Sequence, residues 1–330
     1  MFKYILKRIG ISILILLGVS LILYALLRCM PTDFIKSKIV ALAQTGITVS
    51  DEFVQQMYAS YGLDGTIIQG YFKWLGNVLR FDFGTSFINH RSVLSEIFSS
   101  DRIGTSFFVA AVATVFEFAI AIPLGVTAAT HQYSFRDYLV TVLVLIGISL
   151  PSFFFGQMLK NIFANELHWF PVSGMQDQNL IPYESVGVAI SDYLRHMFLP
   201  ILTVVILSIG SRMRMTRTNM LEVLNADYIR TARAKGLKES KVIYKHAFRN
   251  TMIPLVTSLA GLIPSLFSGA MITESVFDLT GIGSYALNAM TQGDIPVIMT
   301  YNMFLAVLSV IGVLLADLMY AVVDPRVKLA

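Results

Sequence analysis

Cysteine is all but missing. Cys29 is the single one in 330 residues, which excludes an internal disulfide framework and a multi-cysteine metal site. Charge is scarce too: Asp, Glu, Lys and Arg make up 14% of the chain, against about one quarter in an ordinary soluble domain. No G-x-x-x-x-G-K-[ST] phosphate loop, H-E-x-x-H zinc motif or nucleophile elbow occurs, so nucleotide hydrolysis, zinc-assisted hydrolysis and acyl transfer have no recognisable machinery. His90, His131, His168, His196 and His246 are scattered without ligand spacing and read as interfacial or solvated. No catalytic residue, no metal site and no cofactor bound by this chain is expected. Internal repeats, and with them the inverted-repeat signature of many secondary transporters, are also lacking.

What is abundant is apolar surface, at 55% of residues, and that balance points to an all-α integral membrane protein. A hydrocarbon core of ~30 Å takes roughly 20 residues per helix. Six segments approach that length: 9–27, 105–128, 138–163, 197–211, 251–273 and 297–322. The fourth is the shortest, because Arg212, Arg214 and Arg217 follow it at once. The first follows Lys3, Lys7 and Arg8 like a secretory signal, but its run exceeds the usual signal length and no small-x-small site follows. Arg28 also stands where a lipoprotein signal would need a small residue before Cys29. An uncleaved anchor is expected.

The formal charge of +4 does not indicate nucleic acid, because the bases concentrate in short loops beside the apolar runs, as the positive-inside bias requires. Lys3, Lys7, Arg8, Arg136, Arg326 and Lys328 fall on one side together with a dense cluster at 212–249, which holds ten basic residues against Glu222, Asp227 and Glu239. The opposite loops are neutral or acidic, with Glu166, Asp177, Glu184 and Asp192 against Arg195 in one, and Glu274, Asp278 and Asp294 in another. Both termini are therefore expected in the cytoplasm. Residues 1–28 read as an N-terminal anchor helix, 29–104 as an extracytoplasmic helical cap, and 105–330 as a membrane core carrying a cytosolic loop at 217–250. In the cap, Ser50-Asp51-Glu52-Phe53 offers an N-cap and acidic first turn, and 71–81 has apolar residues at helical spacing, with the aromatics Tyr71, Phe72 and Trp74 suited to an interface.

The basic loop reads as two short helices broken near Gly236-Leu237. Arg230, Arg233 and Ala234 share helical spacing in the first; Val242, Ile243, Ala247 and Phe248 form an apolar stripe in the second, with Lys241 and Lys245 opposite. Gly236 permits the positive φ that ends one helix and turns into the next. Two uses fit this pattern: a rigid knob for a soluble partner, or an amphipathic pair resting on anionic lipid.

Two carboxylates fall inside spans, Glu117 near the middle of the second and Asp317 toward the end of the sixth. Since an unpaired charge there costs at least ~2.5 kcal/mol, each should face the bundle interior or a polar cavity. For Glu117 a polar path lining, a hydrogen bond to a Thr, Ser or Asn on another helix, and a protonated solitary acid all stay open. Asp317 more simply ties helix ends together. Pro123, Pro151 and Pro264 each remove a helix hydrogen bond within a span.

The string NMLEVLNADYIRTARAKGLKESKVIYKHAFRNTMIPLV resembles the inner-membrane permease subunits of ATP-binding-cassette importers, specifically the first permease of the dipeptide/oligopeptide family. The resemblance runs through KRIGISILILLGVSLILYALLRCMP, YGLDGTIIQGYFKWLGNVLRFDFGTSF, SLPSFFFGQML, LHWFPVSG, ESVFDLTGIGSYALNAMTQGDIPV and the closing YAVVDPRVKL. It implies the type I importer permease fold, about six transmembrane helices, and an E-A-A-x-x-x-G register over Arg230-Thr231-Ala232-Arg233-Ala234-Lys235-Gly236. On this resemblance Asp227, Arg230 to Gly236, Leu237, Lys241, His246 and Arg249 form the loop that docks on an ATPase.

The implied setting is a bacterial inner membrane. The implied partners are a homologous second permease, two ATPase subunits that use ATP and Mg, an extracytoplasmic solute-binding protein and membrane lipid. Peptides are the implied substrate, with nickel chelates, glutathione or short sugars as alternatives; a proton-coupled carrier using Glu117 and Asp317 is the rival from another class. Two departures matter. Arg230 stands where the motif has a glutamate, and Arg249 where many such permeases have a proline, so no contact assigned to that glutamate carries over.

Overall fold

Backbone N–H and C=O groups in hydrocarbon must pair within their own segment or barrel, which for runs this apolar means helices. The computed structural model describes residues 2–29, 55, 66–252 and 261–323. Among them, pairing between extended segments is limited to one isolated bridge between Thr85 and Ser92; the regular elements are helical. Four are long and apolar enough to cross a membrane: Leu6–Leu26, Val93–Thr130, Val186–Leu224 and Ile295–Asp317. The expected helix start at Ser50 and the closing 324–330 lie outside the described residues.

The chain divides into two compact units. The first comprises residues 1–103 and 285–310. Its elements are α1 (Phe2–Cys29), α2 (Ile67–Val78), α3 (Val93–Ile97), the start of α4 (Ser100–Thr130), most of α12 (Ile282–Gln292) and the first half of α13 (Ile295–Val323). Thr66 and Gln69 form a reciprocal capping box at the start of α2, satisfying backbone groups that a helix terminus otherwise leaves unpaired. The Tyr71 hydroxyl lies 2.9 Å from Ser20 Oγ, and the Tyr24 ring meets that of Tyr71 edge-on at 5.9 Å, so α2 rests on α1. The expected helix over 71–81 thus starts earlier and ends at Val78, ahead of the left-handed turn at Phe81 (φ 61°). Asp294, fully buried, accepts from Ser86 Oγ at 2.5 Å and Phe87 N at 3.1 Å.

The second unit comprises residues 104–284 and 311–330. It holds the rest of α4, then α5 (Phe135–Ser149) and α6 (Ser152–Leu159), which continues as a π-helical stretch over Lys160–Glu166. Next come α7 (Val186–Leu224), α8 (Asp227–Ala234), α9 (Glu239–Lys241, continuing as a π-helical stretch over Val242–Ala247), α10 (Leu262–Ser268) and α11 (Met271–Val276). The expected span 138–163 is interrupted at Leu150, whose extended backbone (ψ 130°) precedes Pro151 at the N-cap of α6. A residue before proline is pushed out of the helical region, so Pro151 divides the segment, whereas Pro123 sits inside α4. In the expected span 251–273, residues 253–260 lie outside the described set, and the remainder is divided by Gly269 at φ 70°.

The fourth segment is much longer than its apolar core. Its 39-residue helix starts where Ser185 Oγ accepts from Val188 N, carries Pro200 inside, and runs past the three arginines to Leu224. No Gly or Pro stands between Ser211 and Lys235, so nothing in the backbone ends it at the charges. α7 packs against both α5 and α6. Elsewhere in this unit the carboxylate of Glu274 is fully buried, accepting from Ser106 Oγ (2.7 Å) and Ser284 N (2.9 Å). Ser106 Oγ in turn accepts from Ile282 N at 2.8 Å. In the sequence Glu274 shows only as acidity in an outer loop.

Candidate functional site

The basic loop is built onto the ends of α4 and α7. α7 closes at Asn225, Ala226 is extended, and α8 begins at Asp227. At the other end Lys235 N bonds Thr231 O (3.1 Å) and Gly236 N bonds Arg233 O (2.9 Å). Gly236 then takes φ 75°, the left-handed conformation that glycine adopts without the clash of a Cβ, and the chain turns into α9. The expected break near Gly236-Leu237 is where the two helices part.

What holds the turn in place is an apolar cluster. Ile229 and Ala232 of α8 and Val242 and Ala247 of α9 are buried together with Val126 and Ala129 of α4 and Met220 of α7; Leu237, Ile243 and Phe248 pack against them, partly buried. The stripe inferred from sequence in the second helix therefore faces α4 and α7. Lys241 and Lys245 point the other way and are exposed. Ile229, Val242, Ala247 and Met220 retain no measurable solvent exposure. At roughly 1.5–3 kcal/mol for each large apolar side chain removed from water, this cluster outweighs any surface charge contact in fixing the loop.

The outward face is polar and basic. Arg230, Thr231, Arg233, Ala234, Lys235, Gly236, Lys241 and Arg249 are exposed, Asp227 as well, while Ala232 is buried and Leu237 and His246 are half-buried. Arg233 Nη2 donates to Glu239 Oε1 at 2.7 Å, bridging the two helices across the turn. That hydrogen bond holds the Glu239 carboxyl below the usual carboxylate range. Arg230 reaches Asp227 only at 3.8 Å, with side chains 74% and 99% exposed, a geometry that contributes close to nothing. Over α8 and α9, Arg230, Lys235, Lys238, Lys241 and Lys245 thus stay available on the surface in excess of the two acids.

Two arginines counted with this cluster go elsewhere. Arg212 Nε donates to Glu117 Oε1 at 3.0 Å, joining α7 to the middle of α4, and its guanidinium lies 4.6 Å from the centre of the Phe118 ring. Arg217 holds Asp137 of α5 through Nε (3.0 Å) and Nη2 (2.9 Å). The Arg217 hydrogen bonds keep the Asp137 carboxyl below its ordinary value, with Tyr133 N adding to the effect. Among the partners foreseen for Glu117, a Thr, Ser or Asn is replaced by a guanidinium, because α7 continues as a helix and carries Arg212 past the apolar run. Asp317 is half-buried in α13.

This site holds no nucleophile–base pair, and no group of three or more metal-ligating side chains forms among the described residues. What it offers is a fixed, positively charged surface continuous with membrane helices. Residues 121–329 match the family described as binding-protein-dependent transport system inner membrane component, and residues 1–110 match its N-terminal region. The chain is 36% identical over 328 residues to the oligopeptide transport system permease protein AppB of Bacillus subtilis, covering 99% of this chain and 100% of that protein. It is 34% identical over 345 residues to the dipeptide transport system permease protein DppB of Escherichia coli K12, covering 99% of each.

Proposed function

The chain belongs to the binding-protein-dependent transport system inner membrane components, and on that premise we propose that it is the permease half of an ATP-driven importer of peptides. It is a multi-pass membrane subunit without chemistry of its own. A homologous second permease completes the pathway, an extracytoplasmic solute-binding protein delivers the peptide, and two ATPase subunits supply ATP and Mg chemistry. Both termini and the α8–α9 loop face the cytoplasm of a bacterial inner membrane, in keeping with the positive-inside bias. Asp227, Arg230 to Leu237, Lys241, His246 and Arg249 make up the docking loop, and the ATPase surface facing it is acidic enough to take its surplus bases.

The observation that carries this reading is the loop itself: a turn buried on one side against α4 and α7 and exposed and basic on the other. A loop resting only on lipid would need its apolar stripe for the bilayer, but Val242, Ala247 and Ile229 are spent inside the protein. ATP-driven closure of the ATPases then biases a two-state bundle through differential contact with this surface. The pairing of Glu117 with Arg212 supports a structural part for that carboxylate and weighs against its use as a proton relay.

The test is reconstitution of the permease pair with its ATPases and binding protein in proteoliposomes. Uptake of a labelled peptide should require ATP inside and persist with a protonophore, and the ATPases should co-purify in mild detergent. Uptake by the purified chain without any nucleotide-hydrolysing subunit, or labelling of a Ser240→Cys variant from the outer face of intact cells, would overturn the reading.

A further inference from the structure

Four contacts bind α4, α5 and α7 to each other over the stretch that leads into the loop. Glu117 is joined to Arg212 at 3.0 Å, and both side chains are largely buried, 10% and 16% exposed. Two turns further along α4, Gly125 lies so close to α7 that a Cβ there would stand 2.7 Å from Thr216 Cβ and 2.8 Å from Met213 O. Asp137, at the start of α5, accepts from Nε and Nη2 of Arg217. Beyond these, Val126, Ala129 and Met220 are buried with Ile229 and Val242 of the loop.

The order of these contacts matters. Along α7 they fall at 212, 213, 216, 217 and 220, all within nine residues; Arg217 meets α5 and the other four lie against α4. Helices that touch only through apolar side chains can slide by small steps. A guanidinium bonded to a carboxylate in a buried setting resists that, because separation leaves an uncompensated charge out of water.

We propose that Glu117–Arg212 and Asp137–Arg217 clamp α4, α5 and α7 into one rigid lever with the α8–α9 loop, so that displacement of the loop is delivered undiminished to the membrane level of Glu117. The four residues are positioning residues. They touch neither nucleotide nor substrate, and their part is to keep loop and helices moving as one body. This rests on the ATP-driven reading above and adds how the stroke is carried.

Two measurements on the reconstituted full importer test it. In a Cys29→Ser background, spin labels at Arg136→Cys and Ser240→Cys, both exposed, report the distance between the start of α5 and the loop, with both ion pairs intact. That distance should be the same in the nucleotide-free and ATP-trapped complexes. A change of more than about 3 Å, beyond the ~1–2 Å shifts of packed helices, would overturn the lever. Glu117→Gln should lower peptide uptake by about tenfold, within the range by which residues lying between two sites alter their coupling, while ATP hydrolysis by the complex stays near the wild-type rate. Unchanged uptake in that variant, or uptake and hydrolysis falling in step in a complex of normal yield, would equally overturn it. Should Glu117→Gln fail to assemble, the spin-label distance decides alone. ATP-independent uptake by the unsubstituted complex would instead remove the proposed function, and the lever with it; intact ATP-driven uptake with a variable distance removes the lever only.

Discussion

Replacing Gly236 separates the backbone of the turn from everything packed around it. Nothing lies within 4 Å of where a Cβ would stand at this position, while φ is 75°. Gly236→Ala therefore meets no steric neighbour, and its cost is that of a left-handed L-residue, about 1–2 kcal/mol. The cluster of Ile229, Ala232, Val242 and Ala247 against Val126, Ala129 and Met220 contributes more than that. Two large aliphatic side chains alone, Ile229 and Val242, amount to roughly 3–6 kcal/mol at the usual value for a fully buried side chain. The alanine variant should keep its turn and most of its uptake. Gly236→Pro is a different perturbation, because proline fixes φ near −65° and also deletes the Gly236 N bond to Arg233 O. α8 and α9 cannot then both stay seated, and the Arg233–Glu239 bridge, half-exposed and worth at most about 1 kcal/mol, cannot restore them. Membrane insertion should be unaffected, since no apolar span is touched. Peptide uptake by proteoliposomes, normalised to inserted protein, should be lost in Gly236→Pro and largely kept in Gly236→Ala. Wild-type uptake by the proline variant would refute the coupling part assigned to the loop.

The Asp137–Arg217 pair gives a pH signature. Its folded carboxyl lies below the ordinary value, so the pair's contribution is present above the ordinary carboxylate range and is lost as pH falls through the lowered value. Asp137→Asn should cost about 2–3 kcal/mol near neutrality, less than the ~3–5 kcal/mol of a wholly buried pair, because Arg217 keeps 28% of its side chain exposed; melting of the two proteins in detergent should converge as the medium is acidified. Gly281→Ala should destabilise the second unit by roughly 1–3 kcal/mol, since the added Cβ would land on the Glu274 carboxyl and within 2.6 Å of Ser106 Oγ; a lowered melting temperature checks it. Arg230→Glu, at an exposed site whose pairing with Asp227 is long and solvated, should weaken retention of the ATPases and flatten its dependence on salt, which a salt series on the immobilised permease reads directly.

Short-range features of the loop were legible in the sequence because their causes are local. Helical spacing of Val242, Ile243, Ala247 and Phe248 is visible in a seven-residue window, and a glycine between two such windows marks where φ turns positive. Membrane helices were legible for a similar reason, since length and apolarity alone decide them. The ion pairs were not. Glu117 and Arg212 are 95 residues apart, and Asp137 and Arg217 are 80, so no periodicity links them. Pro151 misled in a smaller way: a proline inside a long apolar run reads equally as a kink or a break, and only the extended Leu150 before it distinguishes the two. Glu274 reads as loop acidity in the sequence because nothing near it announces Ser106 as its partner.

The same arginines admit two physical readings, and α7 shows how they combine. Bases just beyond an apolar run are ordinarily topology signals, held in headgroups or water. A helix that stops at Ser211 would leave Arg212 and Arg217 in that condition, and Glu117 with no cation in reach. Because α7 continues, both guanidinium groups are carried along its flank to carboxylates on α4 and α5, while Arg214 between them stays exposed. A pair of apolar side chains could hold those helices at least as well, since desolvation offsets much of what a buried ion pair contributes. Charge pairs add directionality: each guanidinium satisfies its carboxylate in one register, whereas methyl groups tolerate several. In the proposed lever, that single register counts for more than extra stability, which gives a physical reason for costly carboxylates inside α4 and at the head of α5.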